Sequence, residues 1–233
     1  MKNEDKNIYK TYDPESSIGT EFRRLLFNLT NNRVLQEKGK SFLITSPSVG
    51  EGKSTVSTFL AMTGAIHRPR KTLLIDADLR RPVIHKIFDI DQAKGLCDVI
   101  MKNVKLEDCV KKTEIENLDV ITSGRIEGNP TELFDSPAIP GIFEAAKFYY
   151  ELIIVDSAPV VPVTDPIILG TEVDGILLVI KAGATQKEVV SRAIDLINQS
   201  GARLLGVALN NVKQALPYYY NHKYYGYQYA SQK

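Results

Sequence analysis

Six apolar runs, separated by longer stretches of mixed character, constrain the fold of this chain more than any other feature. They are "KSFLITS" (40–46), "KTLLIDAD" (71–78), "NLDVITS" (117–123), "YELIIVDSA" (150–158), "DGILLVIKA" (174–182) and "ARLLGVALN" (202–210). Most are apolar almost throughout and lack the alternation of a strand with one wet face. Each is therefore expected to be covered on both sides, as strands of parallel sheets are. Helices are expected between them, over 16–37, 53–67, 95–103, 131–150 with a proline break, and 185–201, where Gly201 supplies a common helix stop. Alternating strand and helix predicts an α/β, doubly wound, mostly parallel sheet with ligands bound beyond the carboxyl ends of its strands.

With 233 residues, 43% hydrophobic and 24% charged, the chain can bury one large core. We expect a single domain over 16–212, preceded by a flexible N-terminus (1–15) and followed by a tyrosine-rich tail (213–233). A net charge of +1 provides no bulk field for nucleic acid or an anionic membrane, and no nucleic-acid partner is expected. Cys97 and Cys109 have neither metal-ligand nor redox spacing, which fits two reduced thiols in the cytoplasm. The opening "MKNEDKNIYKTYDPESS" has no apolar signal core, and no run approaches the ~18 apolar residues of a membrane span, so a soluble chain is expected.

After the first run the sequence reads "TSPSVGEGKST". Gly50 and Gly52 let the backbone turn tightly so that amide hydrogens face phosphate oxygens, and Lys53 places a positive charge at the β and γ phosphates. Ser54 opens the next helix, where its hydroxyl can ligate Mg²⁺ and the helix dipole favours anions. The full GxxxxGK[ST] pattern would begin with glycine at 47, where this chain has Pro47. The competing reading is a chance glycine turn with an exposed lysine.

Two further runs end in carboxylates. "LLIDADLRRP" carries Asp76 and Asp78 followed by Arg80 and Arg81, and "LIIVDSAP" carries Asp156. In a parallel sheet all three emerge on the edge that holds the phosphate loop. Carboxylates beside a polyphosphate repel it unless they hold a cation or take a proton, so Mg²⁺ is implied, with one of the three as base. A single such Asp would read first as a helix cap or turn residue. Three of them beside a phosphate loop weaken that account.

The ordered set "GEGKST", "LLIDADLRRP", "SGRIEGNPTEL" and "IIVDSAP", with tyrosines clustered at the end, resembles the bacterial tyrosine kinases of polysaccharide export over nearly the whole chain from residue 16. The resemblance implies an ATP-dependent protein-tyrosine kinase of P-loop architecture that autophosphorylates its tail between neighbouring copies and regulates capsular or exopolysaccharide synthesis and export. It also implies activation by the cytoplasmic end of a separate membrane protein, which recruits the kinase to the inner face of the membrane, and a cognate phosphotyrosine phosphatase. Carried over by motif, Gly50, Glu51, Gly52, Lys53, Ser54 and Thr55 form the ATP-binding loop, and Ser54, Asp78 and Asp156 hold Mg²⁺. Asp76 is the first choice for accepting the tyrosine proton, with Asp78 open as the alternative, and Lys53 and Arg80 neutralise charge in the transition state. Asn210, ending the last run, is either an adenine contact or a strand-end turn residue.

Of eleven tyrosines, seven stand between 218 and 229: Tyr218, Tyr219, Tyr220, Tyr224, Tyr225, Tyr227 and Tyr229. These are the expected phosphorylation sites. Pro217 disfavours helix before the cluster and Gly226 interrupts it, so the side chains can be presented from extended chain. The roughly 20 residues after Asn210 span at most ~70 Å, enough to enter a neighbour's site. The family's N-terminal Glu-x-x-Arg-x-x-Arg helix, which closes a ring of subunits, is matched only by Glu21 and Arg24, with Phe27 in place of the second arginine. Self-association is expected and ring size is open. The alternative function is a partitioning or positioning ATPase switch without kinase activity; those carry a lysine early in the loop, where this chain has Ser48.

Overall fold

A computed structural model describes residues 8–31, 40–67, 70–102, 104–126 and 128–212. The tail tyrosines, residues 1–7 and the end of the first expected helix lie outside the described residues. All six apolar runs form strands: β1 (Lys40–Thr45), β2 (Thr72–Ala77), β4 (Leu118–Ile121), β5 (Leu152–Ser157), β6 (Gly175–Lys181) and β7 (Leu204–Asn210). A two-residue strand, β3 (Lys111–Lys112), adds a seventh. The helices are α1 (Ser17–Thr30), α2 (Lys53–His67), α3 (Ile84–Ile87), α4 (Leu96–Lys102), α5 (Leu106–Cys109), α6 (Pro130–Phe134), α7 (Ile139–Tyr149), α8 (Asp165–Gly170) and α9 (Lys187–Gln199). The short α3, α5 and α8 were not expected, because four to six residues complete too few turns to display a helical period.

The strand order is β3-β4-β2-β5-β1-β6-β7, parallel throughout except for the β3–β4 pair. Every residue of β2 and β5 is buried, which explains why these runs show no alternation. Successive side chains feed opposite layers: Leu43, Leu73, Ile75, Ile153 and Val155 pack with α4, α7 and α9, whereas Phe42, Ile44, Leu74 and Ile154 pack with α1 and α2. The edge strand β7 departs from the expectation of two covered faces, since Val207 and Leu209 are exposed.

Residues 8–15 of the N-terminal stretch pack against the sheet's helices. A 3₁₀ turn (Ile8–Thr11) buries Tyr9, which stacks on Phe88 at 5.1 Å between ring centroids, and Tyr12 packs against Phe59 at 5.0 Å. Polar neighbours disguised these two aromatic anchors in the sequence. Ser16 then caps α1 by accepting from the Gly19 amide. None of the helices among the described residues is long and apolar enough to cross a membrane.

Candidate active site

The loop between β1 and α2 emerges at the carboxyl edge of the sheet, where β1 is flanked by β5 and β6. Gly50 and Gly52 adopt φ of 85° and 88°, the left-handed region that side chains disfavour, so both glycines are required by the turn itself. Pro47 stands at the place of the missing first glycine and does not prevent this geometry.

The Glu51 side chain turns away from the loop's open face. Its carboxylate is buried and accepts from the Lys181 amide at 2.5 Å and the Thr185 hydroxyl at 2.5 Å, fastening the loop to the end of β6. Asn210 fastens the other side: its Nδ2 donates to the Glu51 carbonyl at 2.8 Å, and a Cβ added to Gly52 would collide with the same amide. The strand-end asparagine is thus a clamp on the loop backbone. Thr55, from the first turn of α2, lines a groove of about 350 Å³ together with Asn210, Phe22 and Leu209.

Lys53 lies at the start of α2 with its Nζ 2.7 Å from Asp78 Oδ2, and the other Asp78 oxygen accepts from the Arg81 amide at 3.0 Å. Burial draws the Lys53 pKa down, but Asp156, Asp78 and Asp76 outweigh it and the net shift is upward, so the lysine stays charged. Asp76 and Asp156 are fully buried register partners on β2 and β5. Asp76 Oδ2 accepts from the Val83 and Ile84 amides at 3.1 and 3.0 Å, and Asp156 Oδ1 accepts from the Ser57 hydroxyl at 3.0 Å. Their remaining oxygens, Asp76 Oδ1 and Asp156 Oδ2, have no hydrogen-bond partner.

Burial, reinforced by the charge of Asp156, raises the Asp76 pKa well above the ordinary carboxylate value. Burial also raises Asp156, opposed by Lys53 and by the Ser54 and Ser57 hydroxyls. Two buried carboxylates with open oxygens beside one lysine fit a proton or a divalent cation. No group of three or more His, Cys, Asp or Glu side chains among the described residues forms a metal cage. A cation here would draw on the Ser54 hydroxyl, water and phosphate oxygens besides these carboxylates, as Mg²⁺ does in nucleotide sites.

Arg80 pairs with a further carboxylate, Asp165. Its Nε donates to Asp165 Oδ2 at 2.8 Å and its terminal nitrogen to Oδ1 at 3.3 Å, and Thr131 donates to the same carboxylate at 2.7 Å. The fully buried Asp165 therefore joins the segment after β2 to the first turns of α6 and α8. Asp165 was missed because "TDP" reads equally well as an ordinary helix start, and Ser57 because it looked like one more residue of a buried helix. The proximity of "NPTEL" to the other motifs was the available signal for Thr131.

Residues 42–205 match the AAA domain family. Over 222 residues the chain is 36% identical to tyrosine-protein kinase YwqD of Bacillus subtilis (strain 168), covering 95% of this chain and 91% of that protein. The chain belongs to the bacterial tyrosine-protein kinase family. This kinase is also 36% identical over 221 residues to the putative tyrosine-protein kinase CapB of Staphylococcus aureus, covering 94% and 95% of the two chains. Among solved structures, the chimerical protein CapA2B2 superposes on the kinase with a TM-score of 0.81 at 33% identity, covering 87% of this chain and 88% of that one. The septum site-determining protein MinD of Pyrococcus horikoshii OT3, solved with Mg-ADP, is 22% identical with a TM-score of 0.65, so it shares the fold alone.

Proposed function

We propose that this kinase transfers the γ-phosphoryl group of ATP to tyrosine, principally to Tyr218, Tyr219, Tyr220, Tyr224, Tyr225, Tyr227 and Tyr229 of a neighbouring copy. The observation that carries this reading is the placement of Lys53 against Asp78, beside the buried Asp76–Asp156 pair with its two open oxygens. A phenol of pKa ~10 is a poor nucleophile at neutral pH, so the site must receive its proton and hold the phosphates in line. Asp76 suits the proton: its pKa is raised and one oxygen is open. Asp78 has both oxygens engaged, which favours Asp76 as base and leaves Asp78 to the cation.

In the step itself the phenolic oxygen bonds to the γ phosphorus, the bond to the β–γ bridging oxygen breaks, and ADP departs. Lys53 moves from Asp78 to the phosphates as it neutralises them. Mg²⁺, when bound, supplies further neutralisation, held by Ser54, Asp78 and Asp156 directly or through water. Asn210 keeps the loop amides aimed at the phosphates, and the groove beside it suits adenine.

Capsular or exopolysaccharide synthesis and export is the process under control. The cytoplasmic end of a membrane activator brings the kinase to the inner face of the membrane, and a phosphotyrosine phosphatase resets it. Copies associate through α1, where Ile18 and Phe27 are exposed beside the Arg24–Glu21 ion pair at 2.7 Å. Incubation with ATP and Mg²⁺ followed by phosphotyrosine mass spectrometry tests the proposal. Phosphate on tail peptides that disappears in Lys53→Met is the expected result, and phosphate that persists in that variant overturns the assignment.

A further inference from the structure

Four tyrosines lie outside the tail: Tyr9, Tyr12, Tyr149 and Tyr150. Three are buried with their hydroxyls engaged, Tyr9 donating to Glu114 at 3.1 Å, Tyr12 sharing a proton with Thr63 at 2.6 Å, and Tyr150 donating to Asp119 at 2.8 Å. Tyr149 differs from all of them. It is the last residue of α7 and 43% exposed, and it stands beside Phe148, which is 82% exposed and packs edge-on against its ring at 5.0 Å. A kinase that modifies tyrosine thus carries one accessible acceptor on its folded body.

We propose that Tyr149 is a phosphoryl-acceptor site outside the tail, modified by the active site of another copy of this chain. The inference rests on the kinase reading above. The route between copies follows from topology. Tyr149 precedes β5, whereas Asp156 lies near the far end of that strand. Six residues of strand put about 20 Å between them, and Tyr149 leaves the sheet on the edge opposite the phosphate loop. No copy can bring Tyr149 to its own Lys53 without unfolding β5. A neighbour can, because the aromatic pair projects from the surface.

The step balances as at the tail: the Tyr149 oxygen bonds to the γ phosphorus of ATP, its proton passes to the neighbour's base, and ADP leaves. The surroundings change sign of interaction on modification. Glu107 on α5 lies near the Tyr149 phenol and its carboxylate raises the phenol pKa, while Lys71 lies 5.9 Å from the ring centroid. A phosphate at this position is repelled by the Glu107 carboxylate and attracted to Lys71. α5 is only four residues long and is anchored by Leu106 and Cys109, so it is the element this repulsion displaces.

The test uses a full-length variant with all seven tail tyrosines replaced by phenylalanine. Incubated with ATP and Mg²⁺, it should retain a phosphopeptide with phosphate on Tyr149, absent when Lys53→Met or Tyr149→Phe is added. For the route, ¹⁵N-labelled acceptor carrying Lys53→Met and the tail replacements is mixed with unlabelled donor carrying only the tail replacements. Phosphate on the heavy Tyr149 peptide is expected; phosphate confined to light peptide, or located on Tyr150, overturns the proposal. Wild-type protein run in parallel separates the two failures. A phosphorylated tail with an unmodified Tyr149 overturns this inference and leaves the kinase reading standing, whereas an unmodified tail overturns both.

Discussion

Asp76 and Asp156 face each other across the β2–β5 ladder, both fully buried, each with one carboxylate oxygen that accepts no hydrogen bond. With Asp78 they make three carboxylates against the single ammonium of Lys53. That imbalance is tolerable beside a bound cation or a transferable proton and costly otherwise.

The first prediction follows from the raised pKa values of Asp76 and Asp156. A carboxyl whose pKa is higher folded than unfolded holds its proton better in the folded state. Its contribution to stability is complete below the unfolded value near 3.8 and is lost as pH rises through the folded one. Removing the ionisable group should therefore help most at high pH. In metal-free buffer the urea midpoint of Asp76→Asn should exceed that of wild type by a margin that widens as pH rises above the unfolded value near 3.8 and levels off above the raised folded value. Adding Mg²⁺ with ADP should narrow it. A margin independent of pH would contradict the account.

Lys53→Met should abolish tail phosphorylation and also lower stability, because it leaves Asp78 without its ion pair among buried carboxylates. The expected loss at neutral pH is about 1–3 kcal/mol, less than for an obligatory buried charge because the raised pKa values of neighbouring Asp76 and Asp156 let them take protons. Equilibrium urea unfolding at pH 5 and pH 7.5 checks both size and cause, since the loss should shrink at the lower pH.

The sheet was legible in the sequence because β2 and β5 are buried on both faces and leave unbroken apolar runs. The carboxylates were legible for the same reason, since Asp76 and Asp156 are charged residues standing where such runs stop. What could not be read was anything made by long-range contact. The Glu51 carboxylate bonds Lys181, 130 positions away at the end of β6, and Thr185, 134 positions away just beyond it. Arg80 looked like a phosphate neighbour, yet a buried carboxylate 85 positions later holds it. Both partners sit on elements whose own sequences give no sign of the pairing. Tyr9 and Tyr12 failed in the opposite direction, as core anchors inside a stretch whose composition is that of a solvated terminus.

Asp165→Asn should act through Arg80 without touching the phosphates. It keeps the volume but weakens a charge-assisted bidentate pair and the bond from Thr131, at an expected cost of about 1–3 kcal/mol. Release of the segment after Asp78 should lower kcat for tail phosphorylation more than it raises KM for ATP. Steady-state kinetics on the folded variant decide this, and an unchanged kcat would separate the Asp165 cluster from catalysis.

Asn210→Ala tests whether the asparagine clamps the loop, reads adenine, or does both. Loss of its bond to the Glu51 carbonyl should cost about 1 kcal/mol of stability and weaken binding of ATP and GTP equally. An adenine contact would instead appear as lost discrimination between the two nucleotides. Gly52→Ala should be more severe than Asn210→Ala, since it meets both the positive φ and the Asn210 amide. If the clamp is the dominant obstacle, adding Asn210→Ala to Gly52→Ala should restore part of the lost nucleotide affinity, as measured by calorimetry.

The seven tail tyrosines allow a charge-counting mechanism in which no single one is essential. Each phosphate adds about −1.5 to −2 charges, so a fully modified cluster carries roughly −10 to −14. The site it must enter is already anionic, with three carboxylates and a nucleotide's phosphates against Lys53 and a cation. Accumulated charge should therefore expel the tail and separate neighbouring copies. Replacing the tyrosines with phenylalanine one after another should weaken phosphorylation-driven dissociation in graded steps, whatever the order of replacement. Light scattering of each variant after a fixed reaction with ATP and Mg²⁺ measures this. Raising ionic strength should also blunt the effect by screening charge. An abrupt loss on removing one particular tyrosine would instead mark that residue as a specific contact and exclude counting.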